Sequence, residues 1–440
     1  MLNKFLFKQI DNSALIVFRI IFGLLCFLES VGAIFTGWIT RTLVEPKFTF
    51  TFLGFGWLQP LPGDWMYVYY VIMGSFGLLI MLGYKYRVSA FLFFVMWSSV
   101  YFMQKTSYNN HYYLLVLLSA FMVLLPANKY ASLDVKLNPK IKSISMPAWC
   151  KWIFVIQLLI LYTYASKAKM YPDWLDLTMP RILMQSKVNY PIIGGLLQND
   201  FMPYLVGYGG ILFDGLIIPL LLFKQTRKYA FFASIFFHLF NSIVFQVGVF
   251  PYLSLAFSLF FFNPETIKNI FLKRKEYYAK AEIIVPSYKP ILVTLGSLYF
   301  IIQLLLPIRH HFIEDNVLWT EEGHRMSWRM MLRSKSGQAS FKVVNINTKV
   351  ETPIKLSAYL TKKQIRLVSS KPDGIWQFAQ YLKKEYKSKG EDIQVFVNAK
   401  VSVNSRPFRQ LIDPKVDLAN VEWNYFTHND WILPSKLKNN

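Results

Sequence analysis

The sequence predicts a polytopic α-helical membrane bundle of about eight or nine transmembrane helices, followed by a C-terminal, strand-rich α+β soluble domain. Three observations support this fold class. The chain is 54% hydrophobic and 18% aromatic. Its apolar residues form blocks of membrane-spanning length up to residue 307, and polar and apolar positions then alternate. We therefore expect a membrane domain over residues 1–307 and a soluble domain over residues 308–440.

Nine apolar blocks predict the membrane helices, and the shorter ones would need tilt or re-entrant packing. The blocks cover residues 14–36, 66–83, 88–104, 112–126, 150–168, 203–223, 229–247, 249–262 and 291–307. The first block has no small-residue cleavage pattern after it, so it is interpreted as a retained span rather than a signal peptide. The predicted topology depends on residues 245–252, because a single re-entrant element there would invert the orientation of every later span.

Positive charge predicts the orientation of the bundle. With the N-terminus in the cytoplasm, every even-numbered connection carries lysine or arginine. These residues are Lys85 and Arg87, then Lys129, Lys136, Lys140 and Lys142, then Lys224, Arg227 and Lys228, and then the basic segment 268–280. Nine spans place the C-terminal domain on the opposite side, so we expect it outside the cytoplasm. The Lys-, Asn- and Ile-rich composition favours a bacterial inner membrane.

The region after residue 307 combines strand and helix patterns. The stretches SFKVVNI, IRLVSS and DIQVFVNAKVSV alternate apolar and polar residues, which is typical of half-buried strands. The stretch GIWQFAQYLKKEYKSKG instead predicts an amphipathic helix with a basic end and a glycine stop. Together these patterns indicate an α+β domain.

The formal net charge of +23 does not indicate a nucleic-acid partner. Lysine and arginine fall largely in the short loops between apolar blocks and in the C-terminal third. The two cysteines, Cys26 and Cys150, lie within or beside apolar blocks. The soluble region therefore has neither a disulfide framework nor a thiolate metal site.

The histidines do not predict a metal site. His111, His238 and the pair His310 and His311 are a conceivable ligand set, but the chain lacks HExxH and ExxH pairs. Serine-hydrolase and phosphate-loop signatures are also missing from the sequence. We expect no metal.

Three polar clusters fall toward the outer side of the predicted bundle. They are KTSYNNH at residues 105–111, the lysines Lys167 and Lys169, and the group His238, Asn241 and Gln246. A polar or ionisable residue inside a membrane is costly, so each cluster is a functional candidate. Each also has a structural interpretation, because a lysine near a helix end can snorkel, a histidine can bridge helices and an asparagine can cap the next span.

Lys167 and Lys169 cannot both face the bundle interior. Residues two apart on an α-helix point about 200° away from each other. We expect one of them to snorkel and the other to be buried. A buried lysine is predicted to be an uncharged amine that can act as a general base hidden from water.

Around these polar clusters the sequence resembles the vitamin K-dependent γ-glutamyl carboxylase family. The resemblance is to a short, bacterial-type member of that family. The matching stretches are PLPGDWMYVYYVIM, MLGYKYRVS, KTSYNNHYYL, YTYASKAKMYPDW, FFHLFNSIVFQVGVFPY, SWRMMLRSK and DPKVDL, in family order. The resemblance implies an enzyme that oxidises a reduced vitamin K, phylloquinol or menaquinol, to its epoxide. Dioxygen and carbon dioxide are the implied co-substrates, and a glutamate in a peptide or protein becomes γ-carboxyglutamate.

The resemblance also implies site residues. The family lysine corresponds to Lys169, and the histidine that follows two asparagines corresponds to His111, with Asn110 beside it. The predicted catalytic residues are therefore Lys169, His111 and Asn110. The residues expected at the quinone or next to the catalytic groups are His238, Asn241 and Trp174.

A lysine suits the implied chemistry, because phenols titrate near 10 and a carboxylate would be too weak a base for them. Arg406 and Arg333 are weaker candidates for binding the carboxylate of the glutamate.

The implied partners are membrane lipid, the quinone and a glutamate-containing peptide or protein, whose identity is open. One alternative is a quinol epoxidase or maturation factor of the same fold that does not carboxylate. Another is a non-enzymatic transporter, which the lack of broken-helix repeats disfavours.

Overall fold

The computed structural model describes residues 1–435 and residue 437. The helices in chain order are α1 Leu2–Phe7, α2 Ser13–Phe35, α3 Trp65–Leu82, α4 Tyr86–Met103, α5 Asn110–Leu124, α6 Leu133–Leu137, α7 Trp149–Lys169, α8 Pro172–Leu175, α9 Thr178–Gln185, α10 Gly194–Leu197, α11 Met202–Leu222, α12 Arg227–Phe245, α13 Phe250–Ala256, α14 Pro264–Phe271, α15 Lys289–Leu305, α16 Val317–Thr320, α17 Lys362–Val368 and α18 Pro372–Ser388. The strands are β1 Gln9–Asp11, β2 Ser145–Pro147, β3 Lys335–Asn345, β4 Glu351–Ile354, β5 Ile393–Val403 and β6 Arg409–Gln410. Short 3-10 segments cover Pro139–Ile141, Phe257–Phe260, Leu306–Phe312 and Leu356–Ala358, and a π-helical turn covers Thr40–Val44.

Seven helical stretches in the described chain are long and apolar enough to cross a membrane. They are α2, α3, α4, α7, α11, α12 and Lys289–Phe312, which joins α15 to its 3-10 extension. Two shorter apolar stretches are Asn110–Leu124 and Phe250–Phe260. These nine stretches coincide with the nine apolar blocks, so the prediction of a polytopic α-helical membrane bundle is confirmed, with seven of the nine reaching full spanning length.

The stretch Phe250–Phe260 carries the chain from one side of the bundle to the other. Helix α12 ends at Phe245, and the turn before α13 contains Gly248. Its φ of 64° is a left-handed conformation that glycine adopts readily. At its start the Phe250 ring stacks on His111, with ring centroids 3.9 Å apart. At its end the Phe260 ring lies 5.2 Å from the ring of Phe18, near the beginning of α2. The region around Gly248 therefore does not reverse the chain.

The N-terminus and the C-terminal domain lie at opposite ends of the bundle. After α14, Lys275 donates a 2.6 Å hydrogen bond to Asp11, just before α2. Helix α15 then returns, and Leu304 near its end accepts a 2.7 Å hydrogen bond from Tyr164 in the last part of α7. The C-terminal domain follows directly. This arrangement is the one that nine crossings produce.

Helices α2 and α3 pack closely because glycines meet at their crossing. A Cβ atom added to Gly23 would lie only 2.3 Å from the backbone nitrogen of Met81, and one added to Gly77 would lie 2.7 Å from that of Phe27. Small residues at a helix crossing allow this close backbone approach within a membrane.

The C-terminal domain is a four-stranded antiparallel sheet in the order β4-β3-β5-β6, with α17 and α18 packed on it. Phe341 of β3 lies opposite Val397 of β5. Both are buried beside Phe378 of α18. The predictions of strands at SFKVVNI and DIQVFVNAKVSV and of a helix at GIWQFAQYLKKEYKSKG are confirmed.

The prediction of a strand at IRLVSS is wrong. Its first four residues belong to α17, which begins with a capping box in which the Thr361 and Gln364 side chains each bond to the other's backbone nitrogen. Gln364, Leu367 and Val368 are all buried, which is helical spacing. The alternating pattern was too short to distinguish the two periods.

The C-terminal domain docks on the membrane domain through polar and aromatic contacts. Lys105, directly after α4, forms an ion pair with Asp373 at the start of α18. Arg325 donates to the same carboxylate at 2.6 and 3.2 Å. Phe48 stacks on Tyr381, with ring centroids 3.8 Å apart. The two parts of the chain thus share a buried interface.

Candidate functional site

A cavity of about 270 Å³ lies between α7, α11 and α12, and the chain after α16 closes one side of it. Most of its lining is aliphatic or aromatic. Five of the predicted site residues line it: His111, Lys169, Trp174, His238 and Asn241. Residues from four separate helices thus meet at one cavity, and their predicted roles stay predictions.

The cavity reaches the outer surface of the bundle between α11 and α12. Leu205 of α11 and Phe236 of α12 both line it. Their side chains are 37% and 66% exposed, respectively. Because this surface is the apolar flank of two membrane-spanning helices, a hydrophobic molecule can enter the cavity sideways from lipid.

Lys169 is buried, and its side-chain nitrogen contacts the carboxylate of Asp214 in α11. The packing of α7 on α11 brings the two together, since Ser166 one turn before Lys169 donates a 3.0 Å hydrogen bond to the carbonyl of Ile211. Lys169 is 8% exposed, whereas Lys167 faces away and is exposed. The prediction that only one lysine of this pair is buried is confirmed.

Trp174 and His238 complete the polar part of the cavity. The side-chain nitrogen of Lys169 lies 5.6 Å from the centre of the Trp174 ring, and the Trp174 ring nitrogen donates to the carbonyl of Gly207 at 3.0 Å. Nε2 of His238 is 3.2 Å from the hydroxyl of Tyr162. Its Nδ1 is buried without a hydrogen-bond partner in the part of the chain that the structure describes. That nitrogen is available to a ligand.

Asn110 does not line the cavity. Its side-chain amide donates a 3.0 Å hydrogen bond to the backbone carbonyl of Arg329, and its oxygen accepts one from Tyr108 at 2.8 Å. The Tyr108 hydroxyl also accepts from the backbone nitrogen of Met326 at 2.6 Å. The observed contacts of Asn110 are those of a residue that positions the segment beside the cavity, and its predicted catalytic role stays a prediction.

Comparison with known protein families covers nearly the whole chain. The HTTM domain matches residues 7–265, and the family described as "Vitamin K-dependent gamma-carboxylase, lumenal domain" matches residues 288–438. This protein belongs to the vitamin K-dependent gamma-carboxylase family. No solved structure matches the chain. The second match begins at residue 288 and therefore includes α15, which the sequence assigned to the membrane domain. The domain boundary at residue 307 stays a prediction.

Two arginines that the sequence suggested as glutamate ligands are already paired in this gamma-carboxylase family member. The Arg406 guanidinium holds both oxygens of Asp173. Burial raises the pKa of Asp173, but its hydrogen bonds to Arg406 and Asn404 outweigh this effect and leave the pKa below its ordinary value. Arg333 likewise pairs with the buried carboxylate of Glu321. The structure does not bring either arginine into the cavity.

Sequence reasoning missed Asp214 and Tyr162 in this gamma-carboxylase family member. Lys169 was treated as a lone amine, whereas the structure gives it a carboxylate partner. A signal for Asp214 was present, because it is the only acidic residue in the predicted span 203–223. Tyr162 carries no such signal, since tyrosine is common in this chain. No group of three or more His, Cys, Asp or Glu side chains is arranged for a metal within the described residues.

Proposed function

We propose that this protein is an integral membrane vitamin K-dependent γ-glutamyl carboxylase, with Lys169 as the base that accepts a proton from a quinol. When bound, the quinol and dioxygen supply a base strong enough to remove a proton from the γ-carbon of glutamate. The overall reaction converts quinol, dioxygen, carbon dioxide and glutamate into quinone epoxide, water and γ-carboxyglutamate. The observation that carries the proposal is the Lys169–Asp214 pair inside a cavity that opens toward lipid.

The residues around the cavity fit a quinol. The cavity of about 270 Å³ accommodates a ring headgroup, and the opening at Leu205 and Phe236 lets an isoprenoid tail remain in the lipid. The free Nδ1 of His238 and the ring of His111 stand where they can contact a quinol oxygen. The mostly apolar and aromatic lining keeps water away from a strongly basic group.

Asp214 extends the mechanism that the sequence suggested. Because its carboxylate contacts the Lys169 nitrogen, it orients that nitrogen and stabilises the ammonium that forms when the lysine accepts a proton. Trp174 adds a ring face to the same ammonium. The lysine therefore acts together with a partner rather than as an isolated amine.

The proposal includes membrane sidedness. The basic connections lie on the side of the N-terminus, which places the C-terminal domain outside the cytoplasm if that side is cytoplasmic. We assign the protein to a bacterial inner membrane with phylloquinol or menaquinol as the quinol. A second candidate is a quinol epoxidase without carboxylation, which the pairing of Arg406 and Arg333 with internal carboxylates favours.

Product analysis separates the two candidates. Purified protein in detergent receives reduced vitamin K, dioxygen, labelled carbon dioxide and a glutamate-containing peptide. We expect both epoxide and peptide-bound label from the wild type, and neither from Lys169→Ala. Epoxide without bound label would favour the epoxidase, and the absence of both products from the wild type would contradict the proposal.

A further inference from the structure

A further cavity, of about 700 Å³, lies at the end of the bundle away from the C-terminal domain, and we call it the N-terminal groove. Residues of α1, β1, the first turn of α7, the 3-10 segment Phe257–Phe260 and the chain at 277–281 line it. It is well separated from the Lys169 cavity, because Lys151 in the groove and Lys169 are 18 residues apart on α7, which is roughly 27 Å.

Three lysines from different parts of the chain line the N-terminal groove. They are Lys4 of α1, Lys8 directly after that helix, and Lys151 of α7. Lys4 is exposed, and the other two are half-buried. None of the three forms an ion pair with a carboxylate in the part of the chain that the structure describes. Because like charges repel, three ammonium groups around one cavity favour an anion beside them.

Asp11 is the only acidic residue in the described lining of the groove, and its carboxylate is already occupied. One oxygen accepts a 2.8 Å hydrogen bond from the backbone nitrogen of Ser13. The other accepts from the Lys275 side chain at 2.6 Å and from the backbone nitrogen of Tyr278 at 3.0 Å. The charge of Asp11 is therefore balanced by Lys275, which leaves the charge of the three groove lysines uncompensated.

Backbone hydrogen bonds fix the middle of the groove. The carbonyl of Lys8 accepts from the backbone nitrogen of Ala148 at 2.9 Å, just before α7. On the other side, the backbone nitrogen of Gln9 donates to the carbonyl of Glu282 at 2.7 Å. Lys8 thus lies between two neighbouring segments of the chain, and its position in the groove is set by the fold.

The groove also has an apolar part at the depth of the membrane surface. The ring of Phe5 stacks on that of Trp152, with ring centroids 4.8 Å apart, and both residues line the groove. Trp152 lies in the first turn of the membrane-spanning helix α7, the level at which tryptophan is common in membrane proteins. Phe5 is 43% exposed, so this aromatic surface is open to a ligand. A ligand that joins an anion to hydrocarbon matches both parts of the groove.

We propose that the N-terminal groove binds an anionic phospholipid. Lys4, Lys8 and Lys151 contact its phosphate headgroup, and the Phe5–Trp152 pair contacts its glycerol and acyl chains. A zwitterionic lipid is disfavoured, because its own ammonium would lie near the three lysines. Each basic residue near a membrane surface raises the affinity for anionic lipid by about fivefold. This lipid is distinct from the quinol and the glutamate of the proposed reaction.

Lipid titration of the full-length protein in detergent tests the proposal without turnover. Native mass spectrometry follows the binding of a phosphatidylglycerol, of a phosphatidylcholine with the same acyl chains, and of glycerol 3-phosphate, which has the phosphate but no chains. We expect the wild type to bind the phosphatidylglycerol at least about tenfold more tightly than the phosphatidylcholine. Glycerol 3-phosphate should bind more weakly than the phosphatidylglycerol, because it makes no contact with the aromatic part of the groove.

Two groove variants and a matched control locate the effect. Replacing all three groove lysines by glutamine should remove the preference for phosphatidylglycerol. Lys4→Gln alone should lower it about fivefold, and this variant should fold normally because Lys4 is exposed. The control replaces Lys136, Lys140 and Lys142 by glutamine. These three exposed lysines precede α7 and lie outside the groove, so the control removes the same charge and should keep the preference.

Thermal unfolding first shows which variants are folded, and Lys4→Gln decides the question if the triple groove variant is not. The proposal is overturned if the wild type binds both lipids equally, or if the folded groove variants keep the full preference. Equal loss in the control would reduce the effect to net charge and would also overturn it. Binding of glycerol 3-phosphate as tight as that of phosphatidylglycerol would indicate a site for soluble phosphates instead of lipid.

Discussion

Two buried lysine–aspartate pairs in this protein differ in their surroundings. Lys169 and Asp214 are 8% and 5% exposed and line a cavity that opens toward lipid. Lys105 and Asp373 are each 2% exposed, and Arg325 occupies the space beside the carboxylate. A ligand can therefore fit beside Lys169 and Asp214, whereas Arg325 already fills the corresponding space beside Asp373. Burial and ion pairing alone therefore do not identify a reactive lysine in this fold.

Replacing each lysine by methionine gives the largest expected contrast. Lys169→Met should lower epoxide formation by about 10²- to 10⁴-fold, the contribution of a positioned general base. Lys105→Met should keep turnover per folded molecule within a few-fold of wild type, since Lys105 touches only the domain interface. Epoxide production by equal amounts of folded protein is the measurement. Equal loss in both variants would remove the distinction between the two pairs.

Asp214→Asn tests whether the lysine works with its partner. We expect epoxide formation to fall about 10- to 100-fold, because the amide keeps the shape but cannot stabilise the ammonium as a carboxylate does. The pH–rate profile should also change shape, which a purely structural role would not cause. Asp214→Glu is the conservative variant and should recover part of the rate. If the pH–rate profile of Asp214→Asn is the same as that of the wild type, the carboxylate of Asp214 has a structural role only.

Asp373→Asn tests the pair at the domain interface through stability. Lys105 and Arg325 would lose their shared carboxylate, which should cost about 3 kcal/mol of unfolding free energy, typical of breaking a buried ion pair. Equilibrium unfolding in detergent provides this value. Lys342→Gln is the control, because its ion pair with Glu351 is exposed and should contribute little. A change as small as that of the control would show that the pair does not hold the domains together.

The same pair predicts a loss of stability in acid. Burial raises the pKa of Asp373, but Arg325 and Lys105 outweigh it and hold the pKa well below its ordinary value. A depressed carboxyl pKa contributes stability that is complete above the ordinary value of about 3.9 and disappears as the pH falls through the folded-state pKa. Unfolding of Asp373→Asn should therefore depend less on pH below about 4 than that of the wild type. Identical slopes would contradict the assignment.

The sequence predicted the membrane bundle well because the signal is local. Spanning helices must satisfy their backbone hydrogen bonds within a single apolar stretch, so each block can be recognised by itself. Helical geometry alone was enough to predict that only one of Lys167 and Lys169 is buried, whereas the choice of Lys169 came from the family resemblance. The soluble region was harder to predict, since the short pattern IRLVSS fits a strand as well as the capped helix that forms.

The pairings within the site could not be predicted from one sequence. Arg406 and Asp173 are 233 positions apart, and Asn110 and Arg329 are 219 apart. Nothing in the spacing of these residues shows that Arg406 is already paired. Only the folded chain decides which cations have a counter-ion, because the contacts depend on how the C-terminal domain docks on the membrane domain.

Under the proposed function, the opening between Leu205 and Phe236 also determines the units in which the quinol concentration has to be given. A quinol that arrives through lipid is diluted by lipid rather than by water, so its effective concentration is a mole fraction in the bilayer. Adding detergent or empty vesicles at constant total quinol should therefore slow the enzyme, even though the molarity of quinol in the tube is unchanged.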